Sequence, residues 1–334
     1  MSYMATEARE APAAVARFLQ RNAGALAELG RSLRASPPPV VLTSARGSSD
    51  NAAAYFKYLL EIVTGTPCAS IGASVVSIYG ARLKVKNALS LTFSQSGKSP
   101  DIVALQAAAR AGGARTVAAV NVEDSPAGLG ADICLPLCAG LENTVAATKS
   151  FVVSLVAGAA IVAHWTNDNA LLTALDRLPQ VLGQACEIVW PEFVEQVKPA
   201  ESLYVLGRGP SLPIAAETAL KLKETCAIHA EAYSTAEVMH GPLELLGERF
   251  PVVAFVPEDA AADATRGTIA RMTAAGARVL KIGAGGLPFA PAGHPLLDPI
   301  SMVQTAYLAV EQVAQALGRD PDRPRLLNKV TETL

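Results

Sequence analysis

The stretch VVLTSARGSS (Val40–Ser49) recurs 162 residues later as SLYVLGRGPS (Ser202–Ser211). Each copy is an apolar run that ends in an Arg-Gly turn before a predicted helix. A second pair of segments, AARAGGARTVAAVNV (108–122) and RMTAAGARVLKIGAG (271–285), matches at an offset of 163. Two independent matches at nearly one offset indicate an internal duplication of one structural unit.

Strands and helices alternate around both copies of this repeat. Short apolar strands, such as ALSLTFS (88–94), are followed by glycine-rich turns and predicted helices. This alternation is typical of an α/β fold with a doubly wound parallel sheet. We therefore predict an N-terminal helical segment (1–35), a first domain (36–165), a helical linker (166–199), a second domain (200–318) and a C-terminal tail (319–334).

Composition restricts the class of protein. The 334 residues are 51% hydrophobic, carry a formal net charge of −2 and contain no basic run, so we expect neither nucleic acid nor a membrane surface as a partner. The longest apolar run, Phe151–Ala163, is shorter than the ~20 residues that span a bilayer, which predicts a buried helix. No secretory signal is recognisable, and five scattered cysteines favour a reduced, cytoplasmic location.

The stretch ETALKLKETCAIHAEAYSTAEVMHGPLELL (217–246) places charges in an apolar setting. At roughly 100° per residue, Glu217, Lys221 and Glu224 share one helix face. This pattern has two interpretations. It is an ion-paired, solvated face, or it is part of a proton-transfer set with His240, which lies in the turn before a predicted helix PLELL.

A hydroxyl-rich loop follows the predicted strand 88–94. The segment SQSGKSPD leaves the strand and enters a helix, and such a loop offers backbone N–H groups to an anion. Ser94, Ser96 and Ser99 add hydroxyl donors, and Gly97 permits a close backbone approach. The alternative is an ordinary capping turn with Ser99 as the N-cap. The second copy has PEDAA at the corresponding place and lacks these hydroxyls.

The run LGRGPSLPIAAETALKLKETCAIHAEAYSTAEVMHGPLELL (206–246) resembles the sugar-isomerase (SIS) half of the glutamine–fructose-6-phosphate aminotransferase family. The resemblance implies two tandem SIS domains, with the phosphate loop in the first and the catalytic residues in the second. It implies that Glu224 moves a proton between sugar C1 and C2, that His240 opens the sugar ring and that Lys221 supports the reaction.

Four further segments carry the resemblance. The loop and the turn after the first strand correspond to the family's sugar-phosphate site, which implies substrate binding by Ser48, Ser49, Ser94, Gln95, Ser96 and Ser99. AGLENTVAATKSF (139–151) resembles AG-x-E-x-x-VASTK-x-F, which implies a backbone contact from Val145, with Ala147 in place of the family's serine. PRLLNK (324–329) resembles the end of the family, which implies that the tail closes over the site with Asn328 and Lys329, although by itself it reads as a mobile terminus.

The predicted function follows from the resemblance. Glutamine hydrolysis in the family uses an N-terminal domain and a first-residue cysteine, whereas the first cysteine here is Cys68. We therefore expect glucosamine-6-phosphate deamination to fructose 6-phosphate and ammonia, because SQSGKSPD resembles the loop of SIS-type deaminases. The alternatives are a galactosamine-6-phosphate deaminase/isomerase, a fructosamine-phosphate deglycase, a plain aldose–ketose isomerase and a non-catalytic sugar-phosphate sensor.

The sequence also predicts whether a cofactor is needed, and the resemblance predicts the assembly. No metal-ligand spacing and no dinucleotide-binding fingerprint occurs in the sequence, so we predict that neither a metal nor an organic cofactor is needed. SIS isomerases of this type are homodimers with a site at the interface, which implies that His240 acts in the partner's site.

Overall fold

The structure is a computed structural model that describes residues 2–247 and 250–327. The chain folds into two compact units. We call residues 13–142 and 149–176 the N-terminal sheet unit. Residues 2–12, 143–148 and 177–327 form the C-terminal sheet unit. These units interleave segments of the chain, and the consecutive domain bounds predicted above remain a prediction.

Each unit contains one parallel sheet, which confirms the predicted α/β class. The N-terminal sheet has the order β2-β1-β3-β4-β5 and the C-terminal sheet the order β7-β6-β8-β9. Side chains of the central strands β1, β3 and β8 are buried throughout, as expected for strands covered on both faces. The strands are β1 Val41–Ser44, β2 Cys68–Ser70, β3 Leu89–Ser94, β4 Arg115–Val120, β5 Ile133–Pro136, β6 Ser202–Gly207, β7 His229–Ser234, β8 Val252–Val256 and β9 Val279–Gly283.

Helices follow most strands, and two long ones, α7 and α12, are buried along nearly their whole length. A π-helical turn and three 3₁₀ turns complete the regular structure of the described residues. The α-helices are α1 Tyr3–Arg9, α2 Ala11–Ala35, α3 Ser48–Thr64, α4 Ser74–Ser77, α5 Pro100–Ala111, α6 Pro126–Gly130, α7 Lys149–Thr166, α8 Asn169–Ala185, α9 Pro191–Val197, α10 Leu212–Lys221, α11 Ala262–Ala274 and α12 Asp298–Ala316.

The predicted buried helix corresponds to α7. Among the described residues, this one helix is long and apolar enough to cross a membrane, and 89% of its residues in that window are buried inside the structure. Its neighbour in the N-terminal sheet unit is α3, where Gly158 allows the Phe56 side chain to approach closely. Its apolar composition is therefore explained by its place in a protein core.

The secondary structure differs from the sequence-based prediction in three details. The N-terminal helix is not continuous, because Pro12 in the first turn of α2 has a ring that would clash with the carbonyl of residue 8 in an unbroken helix. The edge strands β2 and β7 were not predicted, since an edge strand needs no continuous apolar run. The segment PLELL forms only a 3₁₀ turn, Pro242–Leu245.

The packing of α2 against α7 in the N-terminal sheet unit can be tested. A Cβ added at Gly30 would overlap the carbonyl oxygen of His164, whereas one added at Gly24 on the same helix would meet nothing within 4 Å. We expect Gly30→Ala to lower the free energy of unfolding by about 1–3 kcal/mol through overpacking. Gly24→Ala, the matched control, should raise it by up to about 1 kcal/mol. Urea unfolding monitored by circular dichroism measures both; equal effects of the two substitutions would contradict the close contact.

Candidate active site

A buried cluster of charges links α10 to α12 within the C-terminal sheet unit. Lys221 Nζ lies 2.5 Å from Glu224 Oε2 and 3.5 Å from Glu217 Oε1. The Tyr307 hydroxyl donates a hydrogen bond of 3.0 Å to Glu217 Oε1. The exposed fraction of the side chain is 0% for Glu217, 1% for Lys221 and 21% for Glu224. The shared helix face is confirmed, and its interpretation as a solvated face is wrong.

Burial determines how these charges must behave. An isolated charge in a protein interior costs several kcal/mol, so buried charges are paired and hydrogen-bonded. Lys221 lies between two carboxylates, and Tyr307 satisfies the deeper one. Of the three charged groups, Glu224 is the one that reaches solvent. The buried residues Lys221 and Glu217 therefore hold the Glu224 carboxylate at the protein surface.

The backbone at Glu224 is not a regular α-helix. Residues Leu222–Cys226 form a π-helical turn, which ends at Ala227 in the left-handed region with φ +52°. A left-handed residue other than glycine costs about 1–2 kcal/mol. Such turns are rare and frequently occur at functional sites. Glu224 lies at the centre of this turn.

The thiol beside this carboxylate is not a candidate nucleophile. Burial raises the pKa of Cys226 to about 11, and its Sγ contacts the Val310 carbonyl oxygen. Burial likewise raises the pKa of Cys68 to about 12. All five cysteines are free. Because the thiolate is the reactive form, the raised pKa makes the buried thiols of Cys68 and Cys226 unreactive. The cytoplasmic location stays a prediction.

Glu224 lines a cavity of about 790 Å³ in the C-terminal sheet unit. Its other wall is chain segment 318–327, which supplies Arg319, Arg323 and Arg325. The cavity also contains Lys223 and Asp320, so basic groups outnumber acidic ones and a negatively charged ligand is favoured.

The described part of the tail, 319–327, is anchored. The carboxylate of Asp322 accepts hydrogen bonds of 2.7 and 2.8 Å from the backbone N–H groups of Tyr3 and Met4 at the start of α1. A carboxylate at a helix N-terminus is favoured by the helix dipole. The predicted site residues Asn328 and Lys329 lie outside the described residues.

The hydroxyl-rich loop lies at the carboxyl end of β3 in the N-terminal sheet unit. Ser94 Oγ accepts a hydrogen bond of 2.9 Å from the Gly97 N–H, and Ser96 Oγ accepts one of 3.3 Å from the Lys98 N–H. Gly97 has φ +63°, and a Cβ there would overlap the Ser125 side chain. Ser99 occupies the N-cap position of α5, yet its hydroxyl makes no capping hydrogen bond. The capping-turn alternative therefore does not explain this serine.

The turn after β1 lies beside this loop, because β1 and β3 are adjacent strands. Ser48 and Ser49 are the first residues of α3, and Gln95 directly follows β3. The Arg46 guanidinium forms an ion pair with the buried Asp101 carboxylate of α5. Six predicted ligand residues of this unit thus lie at the point where the strand order reverses, the place where ligands bind in open α/β sheets.

Segment 143–148 belongs to the C-terminal sheet unit and contains the half-buried Val145. Thr144 donates hydrogen bonds to the buried Glu7 carboxylate of α1, 2.7 Å from its hydroxyl and 3.3 Å from its N–H. Sequence analysis did not identify Glu7, because no local pattern connects two residues that are 137 positions apart in the chain.

His240 is exposed and follows the 3₁₀ turn Glu237–Met239. It lines a second cavity of the C-terminal sheet unit, together with Arg208 and Arg271. The structure therefore brings Glu224 and Lys221 together and places His240 of the same chain in a different cavity.

The buried cluster makes a stability prediction. Lys221→Met removes the positive charge and leaves Glu217 fully buried beside a second carboxylate, so we expect a loss of about 3–5 kcal/mol in the free energy of unfolding. Adding Glu217→Gln should recover a large part of that loss, because the buried negative charge disappears. Urea unfolding at pH 7 measures both variants; equal stability of Lys221→Met and the wild type would show that the pair is not buried.

Curated relatives with similar sequences are named glutamine–fructose-6-phosphate aminotransferase (isomerizing). The enzyme of Zymomonas mobilis is 34% identical over 307 residues, which cover 85% of this chain and 50% of that protein. The enzyme of Thermus thermophilus is 33% identical over 326 residues, which cover 90% and 53%. The chain thus spans about half the length of the curated relatives it matches.

Solved structures agree with the fold. A protein described as "putative phosphosugar isomerase" from Silicibacter pomeroyi has a TM-score of 0.92 and 43% identity, covering 96% of this chain and 100% of that one. The C-terminal domain of glucosamine-fructose-6-phosphate aminotransferase from Francisella tularensis has a TM-score of 0.86 and 28% identity, covering 97% and 98%. Glucosamine-6-phosphate deaminase from Thermotoga maritima, at 21% identity and a TM-score of 0.79, supports the fold alone.

The family match is direct. The family described as SIS domain matches residues 39–164 and 196–284, one segment around each sheet. The predicted resemblance is confirmed, and the chain belongs to the SIS domain family.

Proposed function

We propose that this chain is a phosphosugar isomerase in which Glu224 carries the proton. The observation that supports this most is the position of the Glu224 carboxylate. It faces a basic cavity, and the ammonium group of the buried Lys221 lies 2.5 Å from it. Aldose–ketose isomerisation needs one base that removes a proton next to a carbonyl and returns it to the neighbouring carbon. The names of the relatives and the family match support the same class of reaction.

Lys221 has two roles in this proposal. Its ammonium group fixes the position of the Glu224 carboxylate, and it counters the negative charge that develops on the substrate oxygen during proton transfer. Such preorganised electrostatic stabilisation is worth about 3 kcal/mol in a site shielded from water. Tyr307 and Glu217 hold Lys221 in turn, so the base is oriented by a chain of buried contacts.

The hydroxyl-rich loop supplies substrate binding in this proposal. Its serine hydroxyls and backbone N–H groups, at the start of α5, suit the phosphate group of a sugar phosphate. The resemblance adds Ser48, Ser49 and Val145, together with Asn328 and Lys329 of the tail.

The substrate that we propose is glucosamine 6-phosphate. His240 moves the proton that opens the sugar ring, and Glu224 then removes the C2 proton of the open-chain 2-amino aldose. Return of that proton at C1 gives a ketimine at C2. Water adds to the ketimine carbon, and the C–N bond breaks to release ammonia and fructose 6-phosphate. The loop SQSGKSPD, which resembles that of the SIS-type deaminases, supports this choice.

Ammonia and fructose 6-phosphate release from glucosamine 6-phosphate tests this reaction. Glu224→Gln should lower kcat by about 10²–10⁴-fold, the range expected for loss of a general base. Glu192→Gln, an exposed carboxylate-to-amide control on α9, should leave kcat unchanged.

Three of the alternatives have distinct outcomes in this assay. Galactosamine 6-phosphate in parallel tests the other epimer, and glucose 6-phosphate tests plain isomerisation. Full activity of Glu224→Gln would refute the assigned base, and binding of all three sugars without turnover would favour a sensor.

We propose a homodimer in which His240 completes the partner's site. The separate cavities of Glu224 and His240 within one chain support this arrangement. A heterodimer of Glu224→Gln and His240→Ala subunits then contains one intact site and should regain about half of the wild-type activity.

The matched control pairs a wild-type subunit with one that carries both substitutions. Action in the partner's site leaves this second heterodimer inactive, because each of its sites lacks one group. Activity of the second heterodimer and inactivity of the first would show that each chain completes its own site.

A further inference from the structure

The cavity that His240 lines contains other polar side chains that have no role in the proposed reaction. It has a volume of about 680 Å³ within the C-terminal sheet unit and is lined by Arg208, Arg271, Thr235 and Thr268. No carboxylate lines it in the part of the chain that the structure describes. Two guanidinium groups and two hydroxyls therefore face one space without a counter-charge.

This cavity lies at the carboxyl edge of the sheet in the second copy, and its lining does not include the segment PEDAA that corresponds to the hydroxyl-rich loop. Arg208 directly follows β6, Thr235 directly follows β7, and α11 follows β8. In the order β7-β6-β8-β9, the connections leave β6 in opposite directions. The carboxyl edge at such a reversal is where open α/β sheets bind ligands.

Comparison of the two copies explains the exposed positive charge. Arg208 corresponds to Arg46 in the repeat, and Arg46 forms an ion pair with Asp101 of α5. At the offset of 163, four of the five buried positions of α5 coincide with buried positions of α11; for example, Ile102 corresponds to Thr265. The fifth, Asp101, falls on an exposed position of α11. Asp101 then corresponds to Ala264, which lines the cavity. The second copy therefore has an alanine where the first copy has the acid that neutralises this arginine.

The remaining contacts leave the guanidinium groups available. Arg266 of α11 pairs with Glu258 and Asp263 at 2.9 and 2.8 Å. Neither Arg208 nor Arg271 has a carboxylate within ion-pair distance among residues 2–247 and 250–327. Arg271 instead donates to Thr268 Oγ1 at 3.5 Å. Because that oxygen accepts, the Thr268 hydroxyl can donate its own proton into the cavity.

We propose that this cavity is a second anion site, which binds the phosphate group of a small phosphorylated metabolite. Arginine forks match the geometry of phosphate oxygens and form charge-assisted hydrogen bonds with them. Thr235 and Thr268 are 2% and 6% exposed and form the buried part of the lining. His240 is the one lining residue that this cavity shares with the reaction proposed above. The inference rests on the two arginines and two threonines, which have no role in that reaction.

Equilibrium dialysis of the full chain with radiolabelled inorganic phosphate tests this site, and glucosamine 6-phosphate is used in a second arm. We expect two bound equivalents per wild-type chain. Arg271→Met and Arg208→Met should each weaken one of them at least tenfold, because methionine keeps much of the side-chain volume and removes the charge. Arg266→Met, the control on the same helix, should leave both unchanged.

The outcomes separate this site from the hydroxyl-rich loop. Tighter binding of glucosamine 6-phosphate than of phosphate at the Arg271-dependent site would identify a sugar phosphate as the ligand. One equivalent in the wild type that Arg271→Met abolishes would support this site and count against phosphate binding by the loop. Unchanged stoichiometry and affinity in Arg271→Met would overturn the proposal, as would the absence of any bound phosphate. Circular dichroism verifies folding, and the exposed Arg271 suffices if Arg208→Met does not fold.

Discussion

The buried ammonium group of Lys221 is the contact on which the candidate active site depends. It lies between two carboxylates, one fully buried and one partly exposed. A charge at such depth persists only when every neighbour compensates it, which explains why Tyr307 of α12 reaches across to Glu217. The position of Glu224 is therefore set by a network that extends over two helices. Its surface carboxylate is held more firmly than an ordinary exposed side chain.

The duplicated unit places two carboxyl edges on one chain, and the two edges differ in chemistry. In the N-terminal sheet unit, the ion pair between Arg46 and Asp101 neutralises the arginine, and serine hydroxyls surround the loop. In the C-terminal sheet unit, alanine replaces the acid and the arginine faces a cavity. Parallel sheets bind ligands at this edge because helix N-termini and loop amides converge there. The same arginine position thus forms an internal ion pair in one copy and lines a charged cavity in the other.

Sequence analysis succeeded where the interactions are local. Strand alternation, the repeat offset and the i,i+3 and i,i+4 spacing of Glu217, Lys221 and Glu224 are periodic features, and these yielded the fold class and the charged helix face. It failed where the cause lies far along the chain. Tyr307 is 90 residues from Glu217 in the sequence. Glu7 is 137 residues from its partner Thr144, and all strands of the N-terminal sheet lie between them in the sequence. No spacing rule connects such residues.

The π-helical turn at Leu222–Cys226 marks a second limit of that approach. Its left-handed terminus is an alanine, where a glycine would be expected, so the sequence contains no indication of the turn. Packing around the turn offsets the free-energy cost of this conformation, since Leu222, Thr225 and Cys226 are all buried. Glu224 lies within this turn and lines the cavity, while Lys221 contacts both carboxylates. The turn that sequence analysis did not predict thus contains the partly exposed carboxylate, whereas the regular helix before it contains the buried one.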